Sequence, residues 1–186
     1  MSFFTSTAAY TAATSNTRNG IALVTGGKSG IGLAIVKKIA TFPFIDTVIA
    51  VSRNITAKDV EDLVVDGYAT KIYPLSADVT TEIGRQRIVK LVDQLCNNHC
   101  KPPKQLRFLV HSAGTIEPIK SVLKVQPDEL RHAMNVNVEG PFFLTTALYS
   151  KMQPALGDTT GVAGRVLHVS SGSAHGAPPV GWGCYG

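Results

Sequence analysis

Short apolar runs alternate along the chain with longer stretches whose apolar residues recur at helical spacing. Ile21–Thr25 is β-branched and apolar and runs into Gly26-Gly27-Lys28-Ser29-Gly30, the pattern of a buried strand entering a tight turn. Apolar positions Ile31, Ala34, Ile35 and Ile39 then share one helical face as far as about Thr41, and Pro43 follows as a stop. Thr47–Val51 predicts a second strand, Lys58–Val65 a short helix ending near Gly67, and Lys71–Leu75 a third strand leading to Ala77-Asp78-Val79. Thr80 or Thr81 caps a helix reaching about Asn97, with Ile83, Ile88, Leu91, Val92 and Leu95 apolar. After Pro102-Pro103, Leu106–His111 reads as a fourth strand. A long helix starts at Pro127, with Asp128 and Glu129 in its first turn, and runs to about Lys151 with a bend expected at Pro141. Arg165–Val169 is the fifth strand, followed by Ser170-Ser171-Gly172.

Strands separated by single helices imply βαβ units, hence an α/β fold: a Rossmann-like, doubly wound parallel sheet with helices on both faces. The 186 residues suffice for one such domain, placed at 20–186 behind a flexible arm at 1–19. The arm is rich in Ser, Thr and Ala but lacks the repeated Arg of an import sequence, so a cytoplasmic protein is expected, with organellar import as the alternative. No apolar run reaches the roughly 18 residues a membrane span needs. The net charge of +5 is scattered, without the basic-aromatic clusters of a nucleic-acid surface. The three cysteines form no disulfide framework, and Cys96, His99 and Cys100 match no zinc spacing, so neither disulfide nor metal is expected.

Chemistry is expected at the carboxyl ends of the strands, where open parallel sheets bind ligands. Two nucleotide motifs fail at the first turn. A phosphate loop ending in Gly27-Lys28-Ser29 needs glycine where Ala22 stands, and the G-x-G-x-x-G spacing is broken by Gly26, Gly30, Gly32. What remains is Thr25-Gly26-x-x-x-Gly30-Ile31-Gly32 between strand and helix, where glycines admit a close pyrophosphate and the helix N-terminus supplies free N–H groups. The bland alternative is a glycine turn that binds nothing.

That motif resembles the cofactor motif of the short-chain dehydrogenase/reductase family. Asp78-Val79, Ser112-Ala113-Gly114, Asn137-Val138-Glu139-Gly140 and the pair Ser171 and Tyr185 agree with it in order, over about Ile21 to Tyr185. The resemblance implies that Gly26, Lys28, Ser29, Gly30, Ile31 and Gly32 meet the cofactor phosphates. It puts Ser52, Arg53 and Asn54 at the adenosine ribose, Asp78 and Val79 at the adenine, and Ser112, Ala113 and Gly114 along the cofactor. An acid at the end of the second strand would select NAD; here Ser52 occupies that place and Arg53 follows, which points to the 2′-phosphate of NADP(H), with Lys28 as a second cation. Arg53 as a plain surface arginine and Asp78 as a plain turn residue are the alternatives. His111 and Ser112 replace the family's two asparagines; His111 is either an acid/base group or, ending a buried strand, a structural one.

Carbonyl reduction needs a proton donor at oxygen, and a tyrosine serves if nearby positive charge lowers its ordinary pKa of about 10. The resemblance assigns that role to Tyr185, carbonyl polarisation to Ser171 (alternatives Ser170 and Ser173), and the holding of a relay water to Asn137, with Asn135 the weaker match. The family's lysine, four residues past the tyrosine, falls beyond Gly186, so the expectation is a fragment of a longer product, inactive by itself, with an open edge at the fifth strand and with Val136, Phe143, Leu144 and Leu148 partly bared. A homodimer or tetramer is expected only of the longer product. Gly114-Thr115-Ile116-Glu117-Pro118-Ile119 and Gly181-Trp182 resemble the sepiapterin and benzil reductase subgroup, which implies a small ketone or diketone substrate with Ser171, Trp182 and Tyr185 around it. The competing expectation is a non-catalytic NADP(H)-binding sensor on the same fold.

Overall fold

Six residues with no exposed member, Gly20–Thr25, form β1, the middle strand of a five-stranded parallel sheet of order β3-β2-β1-β4-β5. The computed structural model describes residues 18–61, 63, 70–97, 103–154 and 162–172. Around β1 lie β2 (Ile45–Ser52), β3 (Lys71–Ser76), β4 (Gln105–His111) and β5 (Arg165–His168). The helices are α1 (Gly30–Ala40), α2 (Lys58–Glu61), α3 (Glu82–Asn97), α4 (Pro127–Met134) and α5 (Gly140–Met152). The expected doubly wound sheet is therefore present, reversing its strand order on the two sides of β1.

Period-two alternation divides the sheet residues between two cores. Ile21, Leu23, Ile49, Val51, Leu106 and Leu109 pack with Ile88 and Val92 of α3 and Leu144, Leu148 and Met152 of α5. Ala22, Val24, Val48, Ala50, Phe108 and Val110 pack on the other face with Val36 and Ile39 of α1 and Val60 of α2. Two register breaks flank the start of β1. Gly20 pairs Ile45 and Ile21 pairs Thr47, skipping Asp46; Ile21 pairs Leu106 and Ala22 pairs Phe108, skipping Arg107. The second bulge reverses the parity of β4, so that Phe108 instead of the charged Arg107 joins the α1 core. Arg107 bonds the Val162 carbonyl at 2.7 Å, and Asp46 pairs with Lys104.

Helix ends follow the chain chemistry. Thr81 caps α3 by accepting the Gly84 amide at 3.0 Å. Pro127 opens α4, and Glu129 accepts the Gln126 amide at 2.8 Å. The predicted long helix is interrupted, but by a π-turn at Asn135–Glu139 lying before Pro141 instead of a bend at it. Pro141 has no N–H, so the Asn137 carbonyl lacks the donor that a regular helix would supply from four residues on.

Two expectations are corrected. Arg18 and Asn19, assigned to the flexible arm, are tied down: the Arg18 guanidinium bonds the Ile45 carbonyl at 3.0 Å and Thr70 at 2.6 Å, and Asn19 bonds the Pro103 carbonyl at 3.1 Å. Residues 1–17 lie outside the described residues. Leu144 and Leu148 are fully buried against α3 and the sheet, and Val136 is half-buried; the exposed side of α5 consists of Phe142, Phe143 and Tyr149. β5 is one edge strand of the described sheet, β3 being the other, and all four of its residues are exposed.

This assignment of faces predicts unequal costs along α5. Leu148→Ala is expected to lower the unfolding free energy by about 2–5 kcal/mol through the cavity it leaves. Phe143→Ala, which removes only an exposed ring under Arg85, should cost less than about 1 kcal/mol. Urea-melt midpoints of the two variants check the ranking.

Candidate active site

The Thr25 hydroxyl joins the ends of the two central strands. Its Oγ1 accepts the Ser112 and Ala113 amides, both at 3.2 Å, and donates to the Val110 carbonyl at 3.4 Å. Gly26 follows with φ +70°, and a Cβ there would lie 2.8 Å from the Ala113 nitrogen. The first turn of α1 presses on it in turn: a Cβ on Gly32 would lie 2.2 Å from the Gly26 carbonyl. The glycines thus let β1, the 112–114 strand end and the start of α1 converge more closely than side chains permit. No acidic residue lies in the first turn of α1, and its N-cap Ser29 makes no side-chain cap bond, so the opening amides keep their donor capacity and positive field. A Cβ at Gly30 would meet nothing within 4 Å, which leaves open space over the turn. A diphosphate-bearing cofactor fits this cradle.

Beside the cradle lies a cleft of about 450 Å³. Gly26, Ser29, Ile31 and Gly32 form its floor, Ser52, Arg53, Asp78 and Val79 one end, and Ser112, Ala113 and Gly114 the other wall. A second cavity of about 500 Å³ shares Ile31 and residues 112–115 with the first and ends at His111, Asn137, Ser170 and Ser171. The two are halves of one trench along the carboxyl ends of the strands. Of the residues singled out in the sequence, these are brought together; Tyr185, Trp182 and Ser173 lie outside the described residues. Lys28 and Asn54 do not line either half. The Lys28 ammonium is directed to the Asn54 carbonyl at 2.9 Å and to Asp59 at 3.3 Å.

Asp78 is a turn residue and a cleft residue at once. Its Oδ1 accepts the Thr80 amide at 2.9 Å and the Thr80 hydroxyl at 2.7 Å. Burial alone would raise its pKa, but those bonds and the positive fields of Arg53 and His132 outweigh it and hold the carboxyl below its ordinary value. Asn137 clamps Thr115: its Nδ2 donates to the Thr115 carbonyl and its Oδ1 accepts the Thr115 amide, both at 2.9 Å. Its side chain therefore fixes the wall between the two halves of the trench.

His111 is 4% exposed, stacked on His168 with ring centroids 4.7 Å apart, and bonded through Nε2 to Thr145 at 2.8 Å. Its Nδ1 has no hydrogen-bond partner among the described residues. Burial, reinforced by His168, pushes its pKa down to about 4, so the ring is neutral near pH 7 and ties β4 to α5. Thr25, read from the sequence only as the opening of the glycine motif and without a role, and His132 and Val136, not placed at the site by that reading, stand at or in the trench. Thr25 carried a signal, a buried hydroxyl next to the glycine turn; His132 and Val136 carried none, being two positions of a helix whose approach to the cleft is set by the fold.

A family model described as short chain dehydrogenase matches residues 20–186. Among solved structures, the chain superimposes on a short-chain type dehydrogenase/reductase from Mycobacterium ulcerans with TM-score 0.74 and 25% identity, covering 92% of this chain and 58% of that one. A short chain dehydrogenase from Burkholderia cenocepacia J2315, in complex with NADP, gives 0.72 and 22%, covering 92% and 63%. The short-chain dehydrogenase/reductase from Serratia marcescens BCRC 10948 gives 0.71 and 23%, covering 92% and 63%. The chain thus spans about three-fifths of the length of these structures. A search of curated proteins found none that matches.

The neutral, buried His111 makes a pH prediction. Between about 4 and the ordinary value of 6.5 the unfolded chain binds more protons than the folded one, so this ring contributes a loss of stability as pH falls through that window and no change above it. His111→Gln is expected to remove about 2 kcal/mol of the stability difference between pH 7 and pH 5, read from urea melts at the two pH values. An unchanged difference would contradict the assignment.

Proposed function

The chain belongs to the short chain dehydrogenase family, and from that premise we propose that it is part of an NADP(H)-dependent oxidoreductase that reduces a small ketone or diketone to an alcohol. The observation carrying this reading is the continuity of the trench, from Arg53 at one end, over the glycine cradle, to Ser171 at the other. Bound NADPH supplies the hydride. The α1 amides hold the diphosphate by charge-assisted hydrogen bonds. Arg53, exposed just past the end of β2, takes the 2′-phosphate, where its planar fork can form two parallel bonds. Asp78 and Val79 receive the adenine.

At the other end the Ser171 hydroxyl bonds the substrate carbonyl and polarises it, and Tyr185 donates the proton. Asn137 holds the water that extends the proton path, a role supported by its place in the wall of the same half of the trench as Ser171. His111 takes no part in proton transfer near pH 7, because a ring that binds a proton only near pH 4 is a poor donor there. Adjacent dicarbonyls are the proposed substrates; the support is the resemblance of residues 114–119 and of Gly181-Trp182, with Trp182 stacking on a flat substrate. The same reading has copies of the intact protein pairing through α5, whose outward Phe142, Phe143 and Tyr149 are between 48% and 62% exposed.

Two variants of the intact protein test this division of labour. Arg53→Ala is expected to weaken NADP⁺ binding by about ten- to hundredfold and leave NAD⁺ binding nearly unchanged, read by fluorescence titration. Ser171→Ala should lower kcat/KM for a vicinal diketone with NADPH by about a hundredfold without changing NADPH affinity. Binding of NADPH without any diketone-dependent oxidation in the wild-type protein would exclude the reductase.

A further inference from the structure

Four successive carbonyls leading through the Arg53 turn each accept a hydrogen bond. Val51 takes the Gly27 amide at 3.0 Å and Ser52 the Ala77 amide at 3.1 Å. Arg53 takes the Ser76 hydroxyl at 2.7 Å and Asn54 the Lys28 ammonium at 2.9 Å. The first three donors belong to strand ends and to the glycine turn. The fourth is a long side chain that crosses from the glycine turn to the far side of Arg53 and is braced there by Asp59 at 3.3 Å. Asp59 is itself fixed, its Oδ2 accepting the Thr56 amide at 2.7 Å and the Thr56 hydroxyl at 2.8 Å. Ile55, 4% exposed, pins the chain between these bonds to the α1 core.

We infer that Lys28 and Asp59 form a latch that sets the preference for the 2′-phosphorylated dinucleotide by holding the backbone of the Arg53 turn, an inference that rests on the NADP(H) reading above. Lys28 and Asp59 are positioning residues. Arg53 is the exposed cation of the turn, and its guanidinium is useful to a phosphate only if its backbone is already placed. A turn that must be ordered on binding takes that entropy out of the affinity. Lys28 does this by neutralising a carboxylate and bonding a carbonyl, which leaves its charge largely compensated within the protein.

The alternative, that Lys28 is a direct phosphate ligand restrained by Asp59, makes the opposite prediction for one variant. Simple electrostatics has Asp59→Asn tighten NADP⁺, since it removes a negative charge near an anion and frees a cation. The latch has Asp59→Asn weaken it. The test is titration of the intact wild-type protein and of the Asp59→Asn, Lys28→Gln and Lys28→Arg variants with NADP⁺ and with NAD⁺. The expected result is that Asp59→Asn and Lys28→Gln each lose about fivefold in NADP⁺ affinity, with NAD⁺ changed by less than about twofold and Lys28→Arg restoring most of the loss. Tighter NADP⁺ binding by Asp59→Asn overturns the latch in favour of direct contact. Equal losses for both nucleotides overturn it in favour of a general structural role. A wild-type preference left intact by every variant overturns the latch alone. A wild-type protein without any preference overturns the NADP(H) reading and the latch with it.

Discussion

Gly26 can lie against the Ala113 amide, and Gly32 against the Gly26 carbonyl, only because neither carries a Cβ. The rest of the site depends on these two backbone contacts. They bring the start of α1, the end of β1 and the end of β4 to one point, and Thr25 secures that point by bonding the Ser112 and Ala113 amides. The sheet supplies the stiffness behind it. β1 is paired on both sides and buried throughout, so the turn emerges from the centre of the sheet. A cleft built on such a base is preorganised: it presents free amides before a ligand arrives, and binding does not have to order them.

The trench divides its tasks by the kind of group that does the work. At the nucleotide end, most contacts available to a ligand come from backbone positions held by other backbone: the glycine turn, the pinned 51–54 carbonyls, the capped Asp78. At the other end the available groups are side chains, Ser170 and Ser171 beyond β5 and the clamp of Asn137 on Thr115. This matches the chemistry in each half. A dinucleotide is the same molecule at every turnover and suits a fixed cradle. The groups of the other half sit past the strand ends and on the π-turn, outside the central sheet.

How much of this could be read from the chain depends on the range of the interaction involved. The strand and helix alternation, the switch in strand order and the glycine cradle rest on local patterns, and the residue types alone announce them. The two β-bulges do not announce themselves. Arg107 is a single charged residue in an apolar run, and only the pairing with β1 shows that it is skipped, so that Phe108 takes the core place. The π-turn is similar: Pro141 signals an irregular helix, but no residue type announces the turn's position upstream, at Asn135–Glu139. The baring of Leu144 and Leu148 was a misreading of helix face, which a shift of one residue suffices to produce. Lys28 shows the sharpest limit. Its stem reaches either toward a phosphate over the glycine turn or across to Asp59, and nothing in the residue's type or spacing chooses between a ligand anion and a protein one.

His111 shows how a departure from a family pattern can be absorbed. Its ring is larger than the amide it replaces and would be costly to bury charged. The structure accommodates it by pairing it in register with a second imidazole, His168 on the neighbouring strand, and by bonding one nitrogen to Thr145 of α5. Burial first, and the neighbouring imidazole second, keep the His111 ring from protonation. The stacked pair thus joins β4 to β5 through side chains as well as through the backbone ladder. It lines the half of the trench that Ser112 and Ser171 also line. A substitution that looks catalytic by residue type acts here through geometry.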